Sequence, residues 1–227
     1  MRRRQAWFGW GLTVASAFVL TGCPQPATPV ATPQAQSAPA TPHPALLDPS
    51  QAKETAPARF KVKCATTRGD FVIEIVRDWA PLGADRFYNL VRSGFFTDLA
   101  FFRNVPGFVV QFGIHGDPKV AQAWDGAKIP DDPVKESNRA GYVTFATSGP
   151  NTRTTQLFIS HRDNANLDAM GFSPFGKVVE GMKTVGSLYF GYGENGPDQG
   201  RLTAEGNAYA RKDFALLDYL KSATILP

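Results

Sequence analysis

The sequence predicts a mainly β domain, an antiparallel barrel or sandwich, and three observations carry that reading. Phe60, Val62 and Cys64 alternate with Lys61 and Lys63, and a second apolar run over 71–76 follows across Thr67-Arg68-Gly69-Asp70. Period-2 alternation before such a turn and a short apolar run after it are the pattern of a β-hairpin. Short apolar runs then recur with turn residues between them, at 99–104, 108–113, 141–146, 157–160 and 175–179, the spacing of an all-β domain. Helical spacing is confined to a few stretches, and 227 residues suffice for one sizeable domain.

Taken in order, residues 1–22 carry Arg2-Arg3-Arg4, an apolar stretch over 6–20 and then Thr21-Gly22. A charged start, an apolar core and a small-residue cleavage site make a secretory signal. The apolar stretch falls short of the roughly 20 residues that a spanning helix needs. Leu20-Thr21-Gly22-Cys23 is similar to the lipobox of bacterial lipoproteins, which implies that Cys23 becomes the lipidated first residue of the mature chain. Its acyl chains would hold the protein at a membrane through about 0.8 kcal/mol per buried CH₂. Pro24, rather than an acid, follows the cysteine. By the same resemblance this implies the outer membrane of a bacterial envelope, with the domain facing the periplasm.

Residues 23–57 read as the lipidated cysteine and a Pro- and Ala-rich tether, since this stretch holds nine of the 18 prolines. Its composition provides no core, and partly extended polyproline conformation is expected. Residues 58–227 form the domain. After the hairpin, Pro81 opens a helix in which Phe87, Leu90 and Val91 share a face and Gly94 is the stop. The apolar runs named above are the next strands. Residues 180–188 read as a second short helix, and 189–206 as a glycine-rich loop. Phe214, Leu217 and Leu220 give 210–221 a helical face, and 223–226 is a last strand.

The charge balance excludes one class of partner. The formal net charge is +4, but residues 1–22 contain three arginines and no acid. Of 24 basic residues, 21 remain against 20 acidic ones, so the mature chain is near neutral and lacks the electrostatic footprint of a nucleic-acid binder. The two cysteines are Cys23 and Cys64. Lipidation of the first leaves no intrachain disulfide, and Cys64 reads as a small apolar core residue.

Two stretches carry the chemistry. In Phe101-Phe102-Arg103-Asn104-Val105-Pro106-Gly107-Phe108-Val109-Val110-Gln111-Phe112-Gly113 one cation and one amide sit among aromatic and β-branched side chains. Gly149-Pro150-Asn151-Thr152-Arg153-Thr154-Thr155-Gln156-Leu157-Phe158 repeats the idea: a turn-rich loop, an amide, then an aromatic. Together they resemble the cyclophilin family of peptidyl-prolyl isomerases, over about residues 60–226. The resemblance implies a closed eight-stranded antiparallel barrel capped by two helices, acting as a monomer without cofactor or metal. It implies that Arg103 is catalytic and that Phe108, Gln111, Ala146, Thr147, Gln156, Phe158, Leu167 and Phe172 bind a proline-containing polypeptide. The expected activity is X-Pro isomerisation in exported envelope proteins, with Arg103 a lone cation beside an apolar pocket.

Taken singly, Phe108, Phe158 and Leu167 are ordinary core residues, so the reading rests on the set. Phe102 stands where the family usually has His, Thr147 where it has Asn, and Phe172 near where many members have His. These changes predict a more apolar proline pocket. The alternative is a non-catalytic module that holds proline-containing segments as a chaperone or envelope scaffold. Ser160, His161 and Asp163 do not form a hydrolase triad, because adjacent residues on one segment point apart and no nucleophile elbow precedes them.

Overall fold

The computed structural model describes residues 43–227. The expected signal peptide, Cys23 and most of the expected tether lie outside the described residues. The described residues form one compact unit.

The hairpin is β1 (Arg59–Thr66) and β2 (Gly69–Val76), paired from Arg59 opposite Val76 to Thr66 opposite Gly69. The Thr66 hydroxyl donates to the Gly69 carbonyl across the turn at 2.7 Å. Helix α1 (Pro81–Arg92) follows and buries Gly83, Ala84, Phe87, Leu90 and Val91, the stripe expected of period 3.6. It ends in a paired motif: Gly94 N donates to Val91 O at 3.1 Å and Phe95 N to Leu90 O at 3.0 Å. Gly94 sits at φ +77°, the left-handed conformation this ending requires.

The other strands are β3 (Leu99–Ala100), β4 (Arg103–Asn104), β5 (Val109–Phe112), β6 (Tyr142–Phe145), β7 (Leu157–Ser160), β8 (Pro174–Glu180) and β9 (Tyr219–Ile225). They form one sheet in the order β3-β9-β1-β2-β8-β6-β7-β5-β4, with every pairing antiparallel. The terminal strands β3 and β4 are joined by only Phe101 and Phe102, so the sheet curls until its ends meet. The single run expected over 99–104 is broken there, and nine strands stand where eight are expected. Inside lies the main core, including Val62, Ile73, Ile75, Phe87, Phe112, Phe145 and Phe175.

The helices differ from expectation. The short helix α3 (Met182–Ser187) lies where the sequence places one. However, α2 (Pro118–Asp125) has no counterpart in the sequence reading, and α4 (Gln199–Asp213) occupies part of the expected loop. Together they cover a second core of Phe102, Ile114, Ala121, Leu202, Tyr209 and Leu217. The helix expected over 210–221 is instead the end of α4 followed by β9. Residues 43–57 also differ from a free tether: Leu46 O accepts from Trp124 Nε1 at 3.0 Å, and Ala56 N donates to Asp85 at 2.8 Å.

Candidate active site

β4 and β5 pair with Arg103 opposite Gln111, and β5 and β7 pair with Gln111 opposite Phe158. Directly paired residues share a sheet face, so Arg103, Gln111 and Phe158 form one row across three strands. Period-2 alternation does the sorting. Val109 and Gln111 face this row while Val110 and Phe112 enter the main core. Gly113 ends β5 at φ +108°, with Thr155 O so close that an added Cβ would lie 2.4 Å from it.

Gln111 is the centre of the row. Its Oε1 accepts from Arg103 Nη1 at 3.3 Å, and its Nε2 donates to Gln156 Oε1 at 2.8 Å. The Arg103 guanidinium carbon is 5.6 Å from the centroid of the Phe108 ring, within range of a cation–π attraction. Beside this polar chain is an apolar recess: Val109, Phe158 and Leu167 are buried, with Phe108, Ala146 and Phe172 packed against them. Phe158 and Phe172 meet edge to face at 5.6 Å. A polar groove of about 400 Å³ continues from Gln111 and Gln156 past Ala146 and Thr147 to Asp125 and Lys128. All nine candidate residues therefore lie on one face, although the Thr147 hydroxyl bonds to its own loop, at Gly149 O and Thr152 Oγ1.

The arrangement is a row of hydrogen-bonded donors and acceptors along one side of an apolar recess. It can grip a peptide carbonyl and present a cation to an adjacent amide nitrogen.

A family model described as cyclophilin-type peptidyl-prolyl cis-trans isomerase matches residues 60–199, more than half of the chain. The chain belongs to the cyclophilin family. Peptidyl-prolyl cis-trans isomerase-like 3 of Rhizopus delemar is 36% identical over 131 residues, covering 54% of this chain and 76% of that protein. The protein of the same name from Homo sapiens is 33% identical, covering 57% and 81%. Among solved structures, a cyclophilin-type isomerase of Cryptosporidium parvum, crystallised in the presence of the dipeptide Ala-Pro, superimposes with a TM-score of 0.54 at 25% identity. That match covers 74% of this chain and 99% of that one. This cyclophilin is accordingly a peptidyl-prolyl cis-trans isomerase.

Two expectations about the site are corrected. Arg103 is not a lone cation: its Nε and Nη2 donate to Glu194 Oε2 and Oε1 at 2.7 and 2.6 Å. The hydrogen bond from Arg103 holds the Glu194 carboxyl below the usual glutamate range. Phe102, for its part, is 1% exposed and belongs to the second core under α2 and α4. Because neighbouring strand residues point to opposite faces, it adds no apolar surface to the recess, whereas Phe172 does.

A supporting layer also escaped the sequence reading. Asn138, wholly buried, donates from Nδ2 to Asp168 Oδ1 at 2.7 Å and to Phe172 O at 2.9 Å, and accepts from Thr144 Oγ1 at 2.8 Å. It fixes the turn that carries Leu167 and Phe172. The Asp168 carboxyl is held below the usual aspartate range. Partial burial acts to raise it, but hydrogen bonds from Ser137 and Asn138 outweigh that. On the other side of the site, Asp131 and Asn151 exchange hydrogen bonds at 2.9 and 2.7 Å and pin the Gly149-Pro150-Asn151 turn. No local motif announces either network.

Proposed function

We propose that this cyclophilin accelerates X-Pro rotation by seating the pyrrolidine ring between Phe108, Phe158, Leu167 and Phe172. Gln111 orients the substrate, and Arg103 hydrogen-bonds to the twisted amide. Rotation is opposed by roughly 18–20 kcal/mol because amide resonance is lost in the perpendicular state. There the prolyl nitrogen becomes a pyramidal, hydrogen-bond-accepting amine, so a fixed cation that meets it only in that state lowers the barrier. Guanidinium suits the task because it stays charged at any working pH and its planar fork holds direction. One aimed donor of this kind contributes on the order of 3–4 kcal/mol.

The observation that carries the reading is the Arg103–Gln111–Gln156 chain at the lip of the apolar recess. The Cryptosporidium parvum relative was crystallised in the presence of the dipeptide Ala-Pro, and a prolyl ring has the apolar character this recess would take. The test is Arg103→Ala: proline-peptide isomerisation is expected to fall at least tenfold, in keeping with an aimed donor, with the thermal transition unchanged. Near-wild-type turnover would sink the assignment.

The clients would be exported envelope proteins and the enzyme would be lipid-anchored, a reading supported by the leader, the Leu20-Thr21-Gly22-Cys23 run and the proline-rich stretch behind it. Labelled palmitate should enter the wild-type protein in a bacterial host and not the Cys23→Ser variant. Equal labelling of the two, or none of either, would remove the anchor.

A further inference from the structure

The segment carrying Glu194 is not tied to the site by chance of one side chain. It is fastened at both ends and in the middle. At its start, Asn104 Nδ2 donates to Leu188 O at 2.9 Å and Tyr189 N donates to Asp218 Oδ2 at 2.7 Å. In the middle, the Tyr192 ring meets Tyr189 and Phe214 edge to face, each at 5.1 Å. Gly196 lies so close to the β3–β4 junction that a Cβ there would be 2.3 Å from Phe102 O. Asp198 then caps α4, its carboxylate accepting from Arg201 N at 2.8 Å. Between these fastenings a tight turn over Gly193–Asn195 turns Glu194 toward Arg103.

The two Arg103 donors that Glu194 takes are Nε and one hydrogen of Nη2, the side edge of the fork. Gln111 holds Nη1. Those three bonds fix the guanidinium plane and leave further N–H groups on Nη1 and Nη2 for a substrate, since the fork carries five donors. A long side chain with four rotatable bonds otherwise loses much rotamer entropy on reaching a single pose.

We propose that Glu194 is a positioning residue for isomerisation, clamping the Arg103 fork in the plane that meets the prolyl nitrogen. This rests on the catalytic assignment of Arg103. Because the carboxylate sits on an anchored turn, it serves as a fixed part of the site. Its role is orientation, so it acts on turnover and not on the grip of the recess, which is built from Phe108, Phe158, Leu167 and Phe172.

The test uses Glu194→Gln and, as a variant that keeps the carboxylate, Gly196→Ala, which pushes the turn off Phe102 O. Isomerisation of an Ala-Pro-containing peptide is followed by NMR exchange, and affinity by calorimetry. Both variants are expected to lower kcat about fivefold, short of the ~10²-fold that a 1 Å misplacement can cost, while the peptide Kd moves less than about twofold. A second readout separates orientation from mere support. Arg103 on β4 is the charged group that contacts Glu194, and Tyr189 and Tyr192 are the titratable groups beside it on its own segment. In the wild type, kcat falls as pH drops through the depressed Glu194 pKa. In Glu194→Gln the part of that acid limb due to Glu194 is absent, and what remains is the loss shared with other acid-sensitive carboxylates such as Asp168. An unchanged or raised kcat in Glu194→Gln would overturn the proposal, as would an acid limb there as large as that of the wild type. Full activity in Arg103→Ala would instead overturn the assignment beneath it.

Discussion

At the scale of single residues, the buried amide of Asn138 does more than its neighbours in the recess suggest. It satisfies Asp168, Phe172 O and Thr144 at once. Asn138→Ala leaves buried polar groups unpaired at about 1–3 kcal/mol each, so a loss of about 3 kcal/mol in urea unfolding is expected. Loosening of the Leu167–Phe172 wall should also raise KM for a proline peptide; a wild-type KM would show that the wall holds without it. Asp168 has a pH signature of known sign. Its folded pKa lies below the unfolded value of about 3.9, so its stabilisation is complete above that value and is lost as pH falls through the folded pKa. Asp168→Asn should flatten this acid loss, read by unfolding free energy against pH. What the sequence showed at this scale was short-range: Arg103 and Gln111 are eight positions apart on two paired strands, and the turn between them is spelled by Pro106-Gly107. Glu194 is 91 positions from Arg103 and Asp168 is 30 from Asn138. Nothing local in a sequence announces such partners, because the pairing exists only once the barrel has closed.

At the scale of elements, α1 begins on Ala80, which offers no side chain to its free N–H groups. Asp132 supplies the cap from another part of the chain, accepting from Leu82 N at 3.0 Å and Gly83 N at 2.9 Å. Arg153 pairs with the same carboxylate at 3.0 Å, both side chains being 3% exposed. Arg153→Ala removes one partner of a buried pair, a change that costs about 3–5 kcal/mol. The midpoint of chemical denaturation should fall accordingly, and an unchanged midpoint would mean that the helix dipole alone holds Asp132. Strand β1 and α1 were legible because burial there follows period 2 and period 3.6, and β2 because it is a short apolar run behind a turn, buried on both faces. The chain after 198 was not. α4 buries only Leu202, Gly206, Tyr209 and Ala210 and is broken at Gly206 (φ 62°), where the backbone meets Gly116 O, so its apolar spacing is faint. Phe214, Leu217 and Leu220 mimic a helical stripe, yet Asp218 between them takes hydrogen bonds from Thr67, Arg68 and Tyr189, and the chain runs on as a strand against β1. Long-range bonds overrode the local period. The Asp198 cap and the Leu202–Tyr209 spacing were the signals available.

At the scale of the molecule, the barrel is closed by chain continuity through Phe101–Phe102, and the two cores lie on either side of that closure. The domain also extends further toward the N-terminus than composition implies. Proline content marks 43–57 as tether, but Ala45 and Ala56 are buried, and Glu54 and Asn89 exchange hydrogen bonds at 3.0 and 2.7 Å. With the Leu46–Trp124 and Ala56–Asp85 bonds, the segment ties α1 to α2. A chain starting at Ala58 therefore leaves the Trp124 indole, Asp85 and Asn89 short of partners. At about 1 kcal/mol net per hydrogen bond, the expected loss is roughly 3–4 kcal/mol. For a domain of this size that lowers Tm by about 6–16 °C, at 2–4 °C per kcal/mol. The segment lines neither the recess nor the groove, so kcat/KM at 20 °C should match that of a chain starting at Thr41. Calorimetry on the two chains decides it: equal melting temperatures would return 43–57 to the tether.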